Sequence, residues 1–229
     1  MKLNIPATIV FMYFESRAVA GAKLAAELLD EYRYADTAVV SLDTGGVAVG
    51  YQIATYLHTT LQMLLSETIR ISDESVDYAT VLPEGVVAKN PDMSESEEEY
   101  YYGEYAGQLD DEIREATTKI NRMLGDGGDI SMEVLRGRNV ILVSDGLNSG
   151  TILDATIEWL KPVRAEKIIL ACPIISVDAL DRAHILVDEL HILGVTPNFI
   201  STDHYYDNDD TPDSKMTKKM INATILGWK

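Results

Sequence analysis

Cysteine is nearly missing from this chain. Cys172 stands alone among 229 residues, so no intramolecular disulfide can form. Its place in the apolar run KIILAC (167–172) reads as a buried, inert thiol in a reducing compartment. Basic residues are scarce too: 19 Lys and Arg stand against 37 Asp and Glu, a formal charge of −18. That balance excludes unaided binding to nucleic acid or to an anionic membrane, and an anionic ligand would need a metal ion, local backbone donors, or both. No apolar run approaches the length of a bilayer span, and no basic, apolar leader precedes the first acids. The expected location is cytoplasmic, which makes the Asn222-Ala223-Thr224 sequon a chance occurrence. Several motifs are also missing. There is no G-x-G-x-x-G for a dinucleotide and no G-x-x-x-x-G-K-[ST] for a nucleotide. The segment GLNSG puts Asn148 where a hydrolase elbow needs serine. His58, His184, His191 and His204 are scattered without the H-E-x-x-H spacing, so no protein-built metal site is predicted.

What the chain does have is an ordinary globular composition, 46% hydrophobic, and alternating strand and helix signals. These predict one domain over 1–229, with an insertion or flexible segment around 69–130. Ser16 is placed to cap a helix carrying Val19, Ala20, Leu24, Leu28 and Leu29 at helical spacing. Thr37–Leu42 reads as a strand, Asp43–Gly46 as a tight turn and Val47–Leu57 as a helix. VDYATVL and GVVA flank Pro83-Glu84-Gly85, a hairpin signal. Asp92–Glu99 with Tyr100, Tyr101, Tyr102 and Tyr105 reads as a solvated loop with partly packed tyrosines, or a mobile cover. Helical spacing resumes over Asp110–Leu124 and stops at Gly125, Gly127 and Gly128. Further strand and helix units follow at Val140, at Gly150–Leu160, at Ile168, at Val177–Leu193 and at Val195–Ile200.

The segment RNVILVSDGLNSGTI (138–152) is the most informative. Val140–Val143 suit a buried parallel strand, Ser144 and Asp145 place polar groups at its carboxyl end, and Gly146, Asn148, Ser149, Gly150 and Thr151 form a small-residue turn into a helix. Unpaired N–H groups at a helix start, with the helix dipole, favour an anion such as phosphate. The alternative is a structural turn with Asp145 and Ser149 as caps, and Asp43 likewise reads as a helix cap or turn former.

This segment resembles that of the type I phosphoribosyltransferases: apolar residues, two acids, Gly, an apolar residue and a short Ala/Thr/Gly/Thr loop. Two more stretches are similar, in order and spacing, to the opening of a predicted phosphoribosyltransferase branch. Arg17, Ala20, Gly21, Leu24 and Ala25 keep its first pattern, while Gly45, Gly46, Val47, Val49 and Gly50 keep much of its second. Weaker similarity reaches the C-terminal HYYDNDDTPDSKM. The resemblance implies an α/β fold, a doubly wound parallel sheet of the type I phosphoribosyltransferase fold with a small β-hairpin and helical insertion.

It further implies a small phosphorylated sugar or nucleotide-like ligand, phosphoribosyl pyrophosphate or a ribose 5-phosphate compound. Ser144, Asp145, Gly146, Asn148, Ser149, Gly150 and Thr151 would hold the 5′-phosphate and ribose, with Asp145 as the catalytic residue through a ribose or metal-water contact. Asp43, Thr44, Gly45 and Gly46 would form the pyrophosphate loop. Mg²⁺ would accompany catalysis, and a homodimer is open by resemblance only. Two residues depart from the pattern. Ser144 replaces the first acid, and Thr44 stands where a guanidinium would pair bidentately with pyrophosphate. A non-catalytic ligand sensor or assembly protein with this fold therefore stays open beside the transferase. His204, with Tyr205 and Tyr206 after the last strand, is a candidate to approach a base or acceptor.

Overall fold

The computed structural model describes residues 2–4, 13–71, 76–125 and 132–226. Its chain divides into two compact units. The first comprises Met1–Met63, Ile130–Gly150 and Val163–Lys229, and the second Leu64–Asp129 with Thr151–Pro162.

Six parallel strands organise the first unit: β1 (Lys2–Asn4), β2 (Thr37–Ser41), β3 (Thr60–Met63), β7 (Asn139–Val143), β8 (Lys167–Ser176) and β9 (Glu189–Thr196), in the order β1-β9-β8-β7-β2-β3. Every residue of β2, β7 and β9 is buried, as expected for a parallel sheet covered on both faces. Val39, Ile141, Val143, Ile169 and Ala171 share one core with α1 (Arg17–Tyr32) and α2 (Thr44–Leu57), whose Ala20, Leu24, Leu28, Val49 and Ile53 are fully buried. Side chains alternate along a strand, so Ala38, Val40, Val140, Leu142 and Leu170 point to the opposite face, and they too are buried. The remaining helices of this unit are α4 (Met132–Leu135), α6 (Val177–Leu186) and α7 (Ser214–Leu226).

Ser16 caps α1 as expected, accepting from the Val19 N–H at 3.2 Å. Gly21 lets α1 approach the backbone of α2. A Cβ there would lie 2.6 Å from the Val49 carbonyl oxygen and 2.9 Å from Val49 Cα.

The second unit carries an antiparallel sheet of β4 (Glu67–Ile71), β5 (Val76–Val81) and β6 (Val87–Lys89), with α3 (Glu95–Gly125) and α5 (Thr151–Leu160). The expected hairpin is there, and its turn places Glu84 and Gly85 at φ 64° and 74°. Lys119 on α3 pairs with Glu67 on β4 at 2.5 Å, and Lys89 on β6 pairs with Glu98.

Two sequence expectations change away from the loops after β2 and β7. The acidic, tyrosine-rich stretch is not a loop but the first half of α3, which begins at Glu95, well before Asp110. Ser94 and Glu97 form a capping box: Ser94 N–H donates to Glu97 Oε2 at 2.9 Å, and Glu97 N–H to Ser94 Oγ at 3.3 Å. The acids of the first turn also complement the helix dipole. Of the expected stop, Gly125 is the last residue of α3, and Gly127 and Gly128 lie outside the described residues.

The second change is at 177–200. Helix α6 ends at Leu186 and β9 runs Glu189–Thr196, so the last strand starts well before the predicted Val195. Glu189 and His191 alternate with Leu190 and Ile192 at a strand's period of two, which the expected helix ran over. In the fold, Glu189 is buried yet satisfied, accepting from the Tyr32 hydroxyl and from Lys167 Nζ at 2.5 Å. Parallel pairing with β8 holds the strand in place.

Among the described residues no helix is long and apolar enough to cross a membrane.

Gly21→Ala should destabilise the protein by about 1–3 kcal/mol through overpacking against α2. Gly103→Ala on α3, with open space around it, should stabilise by roughly 0.5–1 kcal/mol through helix propensity. Urea denaturation of both variants measures the contrast, and equal effects would contradict the close approach of α1 to α2.

Candidate functional site

Strands β2 and β7 are neighbours, with Val40 opposite Leu142 and Ser41 opposite Val143. From them the chain winds in opposite directions, β2 to β3 on one side and β7 to β8 on the other. Such a reversal leaves a crevice beyond the carboxyl ends of the two strands, where open α/β sheets place their ligands. Both loops singled out from the sequence, the one after β2 and the one after β7, emerge there.

Asp43 is the N-cap of α2, its Oδ1 accepting from the Gly46 N–H. The helix thus starts at Thr44, not Val47, and Gly45 and Gly46 lie in its first turn. Both glycines answer to crowding rather than to unusual dihedrals. A Cβ on Gly45 would sit 1.9 Å from Asp145 Oδ2, and one on Gly46 would sit 2.7 Å from Ser41 Oγ and 2.8 Å from the Val143 carbonyl oxygen. Thr44 is exposed.

Ser144, fully buried, donates from Oγ to Asp43 Oδ2 at 2.5 Å and accepts from the Gly146 N–H at 3.2 Å. The two loops are therefore joined through the residue that departs from the acid pair. Asp145, 7% exposed, accepts at Oδ2 from Arg17 Nε at 2.6 Å. Arg17 opens α1 and is itself 2% exposed. Its guanidinium also reaches Asp203, and Asp209 at 3.4 Å, while Tyr206 lies 4.6 Å from it, ring face on. The Tyr206 hydroxyl donates to the Asp145 carbonyl oxygen at 2.5 Å, and Asp210 accepts from the Arg17 and Ala18 N–H groups at 2.9 and 3.0 Å.

This cluster was missed in the sequence. Arg17 fitted a pattern without a role, and the acids of DNDD (207–210) were only part of a weak similarity. A cation opening an apolar helix and an acid-rich C-terminal stretch were the available signal. What was absent was any indication that residues nearly 200 positions apart meet. His204 bonds Tyr13 at 3.1 Å through Nε2, packed with Tyr205.

Electrostatically, Asp43 and Asp145 of the two loops lie near one buried base, whose guanidinium Asp203, Asp209 and Asp210 also approach. Burial acts against the charged guanidinium of Arg17, but hydrogen bonds and charges from Asp145 and Asp203 outweigh it and hold Arg17 above its ordinary value. Loss of solvent raises Asp43 and Asp145 above the usual carboxylate range. The negative charge of Asp43 adds to the rise at Asp145, while Arg17 opposes it at both. The short ion pair favours an ionised Asp145 and the burial favours a neutral one. Both are met if the Asp43–Asp145 pair keeps a single proton, leaving one negative charge beside Arg17.

The rest of the β7 loop is built as a rigid turn. Leu147 bridges to β8, its N–H on the Ile174 carbonyl oxygen at 3.0 Å, and Ser176 N–H returns to the Leu147 carbonyl oxygen at 2.9 Å. Ser176 Oγ donates to the Asn148 carbonyl oxygen at 2.6 Å and accepts from Ala179 N–H at 3.0 Å, thereby capping α6. Gly146 packs against Thr202, and Gly150 against the stem of Arg182, where a Cβ would lie 2.4 Å from Cγ. Asn148 and Ser149 are exposed, and Thr151 is the first residue of α5. The structure thus joins Asp43, Gly45, Gly46, Ser144 and Asp145 in direct contact, and presents Thr44, Asn148 and Ser149 to solvent.

Among the described residues no group of three or more His, Cys, Asp or Glu could hold a metal ion. The oxygens of Asp43 and the Oδ2 of Asp145 are already engaged within the protein, which does not fit a directly coordinated metal.

The model of the phosphoribosyl transferase domain matches residues 15–192. Among solved structures, the protein TT1426 from Thermus thermophilus is similar at 23% identity and a TM-score of 0.70, covering 92% of this chain and 99% of that one. A hypoxanthine phosphoribosyltransferase from Staphylococcus aureus is 13% identical with a TM-score of 0.46, covering 84% and 78% of the two chains. No curated protein matches this chain.

Two outcomes follow from the cluster. Arg17→Met should cost about 3–5 kcal/mol, because it strands a buried carboxylate, and Arg17→Met with Asp145→Asn should recover much of that; thermal and chemical denaturation measure both. The raised Asp145 favours the fold at low pH, and that contribution is lost as pH rises from about 4 toward about 8. Asn at position 43 keeps the cap but removes the second charge. Asp43→Asn should thus gain stability relative to the wild type at pH 8 over pH 5, and parallel pH profiles would refute the shared proton.

Proposed function

This chain belongs to the phosphoribosyl transferase domain family, and on that premise we propose that it binds phosphoribosyl pyrophosphate or another ribose 5-phosphate compound at the carboxyl ends of β2 and β7. The observation that carries this reading is the β7 loop at the sheet's reversal point. Its frame, Ser144 to Leu147, is fixed by Asp43 and β8, while Asn148 and Ser149 stay exposed beside it. In this reading the backbone and hydroxyls of Asn148–Thr151 take the 5′-phosphate and the Ser144–Asp145 turn faces the ribose. Thr44 offers one neutral hydroxyl to a diphosphate. Mg²⁺ would arrive as the counter-ion of the diphosphate and supply the positive charge that Thr44 lacks.

If transfer follows, the bond from the anomeric carbon to pyrophosphate breaks with its electron pair on pyrophosphate, and an acceptor nucleophile bonds to that carbon. The work of the protein in such a step is positioning and neutralisation.

One observation favours the second reading, a non-catalytic ligand-binding protein of this family. The Asp145 carboxylate is tied to Arg17 and nearly covered, so it is committed inside the protein rather than to a sugar.

Calorimetric titration of phosphoribosyl pyrophosphate, with and without Mg²⁺, tests the binding. Micromolar to submillimolar affinity that improves with Mg²⁺, weakens about tenfold in Ser149→Ala and strengthens in Thr44→Arg is the expected outcome. No heat at millimolar ligand in either condition would end the proposal. Pyrophosphate release in the presence of purine or pyrimidine bases separates the transferase from the non-catalytic protein.

A further inference from the structure

A second cleft lies at the opposite ends of the same strands. It has a volume of about 550 Å³ and is lined by Arg33, Tyr34, His58, Thr60 and Arg138, among others. Thr60 opens β3, Arg138 immediately precedes β7, and Thr37, the first residue of β2, completes the floor. The cleft therefore belongs to the amino ends of the parallel strands, away from the loops after β2 and β7. Its size falls within the range of small-molecule sites, roughly 300–1,000 Å³.

The lining is unusual for a chain with nearly twice as many acids as bases. Arg33, the C-cap of α1, makes no ion pair among the described residues, and its guanidinium lies 5.6 Å from the ring centre of Tyr34. Arg138 pairs with Asp36 through Nε at 3.0 Å. Its two terminal nitrogens have no partner among the described residues, although a guanidinium carries five donors. His58 caps α2 in the left-handed region, at φ 54° and ψ 48°, a conformation that non-glycine residues seldom adopt. The Thr60 hydroxyl is buried without a hydrogen-bond partner among the described residues, so this wall holds a polar group that the protein leaves unsatisfied. Tyr34 is 92% exposed, a large aromatic face available for stacking.

We propose that this cleft is a second ligand site, for a small molecule that combines a phosphate with a planar ring, of the nucleoside monophosphate class. Arg33 and the terminal nitrogens of Arg138 hold the phosphate as planar forks, and Tyr34 supplies the surface on which the ring stacks. Among the described residues Asp36 is the only acid lining the cleft, and Arg138 already neutralises it, so the local balance favours an anion despite the overall charge. The site is independent of the phosphoribosyl reading, because it shares no residue with the loops after β2 and β7.

Amide NMR of the full chain, titrated with adenosine 5′-monophosphate, inorganic phosphate and adenosine, tests it. The expected result is saturable shifts at 33–37, 58–60 and 138 with adenosine 5′-monophosphate. Inorganic phosphate should give weaker shifts at the same residues, and adenosine binding should be at least tenfold weaker than that of the monophosphate. Arg33→Ala, at an exposed position, should fold normally and lose affinity at least tenfold, and Tyr34→Ala should weaken the monophosphate but not inorganic phosphate. Shifts confined to 43–46 and 144–151, no shifts at millimolar ligand, or unchanged affinity in Arg33→Ala would each overturn the proposal.

Discussion

The ion pair between Arg17 and Asp145 is the contact on which the rest of the first unit depends. It connects the first residue of α1 to the loop after β7, and through Asp203, Asp209 and Asp210 it also gathers the chain after β9. Taking a guanidinium and a carboxylate out of water is costly, and the attraction between them repays that cost only with good geometry and further hydrogen bonds. Those conditions are met here: Arg17 has several acceptors, and Tyr206 covers the pair while fixing the Asp145 backbone. Gly45 at the start of α2 follows from the same constraint, since Asp145 occupies the space where a side chain there would stand.

Charge balance then shapes the chemistry of the site. Asp43 and Asp145 are both raised by burial beside Arg17, and the short contact of Ser144 with Asp43 knits both loops into the same network. Ser144 brings a carboxylate to its own position by donating to Asp43 of the neighbouring loop. That carboxylate, however, is spent on capping α2 and on Ser144. In the proposed binding, a ligand would meet an exposed Asn148–Ser149 turn and carboxylates that already have partners. This is why ligand binding and group transfer are separable questions for this protein.

Much of the fold was legible because the informative segments obey local rules. The β2 and β7 runs are short, apolar and bounded by polar turns; Ser16 and Pro83-Glu84-Gly85 are local punctuation. Legibility failed where tertiary contacts reversed a local impression. Glu189 and His191 are polar residues in what becomes a fully buried strand, and Tyr32 and Lys167 satisfy Glu189 there. The acids and tyrosines after Asp92 look like a solvated loop, yet Ser94 and Glu97 start a 31-residue helix there. In that case a readable signal, the capping box, was present and outweighed by composition.

The sequence by itself determined the alternation of strands and helices, the family pattern and the position of the small-residue turn, because apolar periodicity, capping residues and glycines act over a few neighbouring positions. Only the tertiary structure decided that Arg17 neutralises Asp145, that Ser144 and Asp43 bond across two loops, and that Arg33, Tyr34, His58 and Arg138 line one cleft. These are meetings of residues from separate segments, and their energies depend on burial and distance that no local pattern encodes.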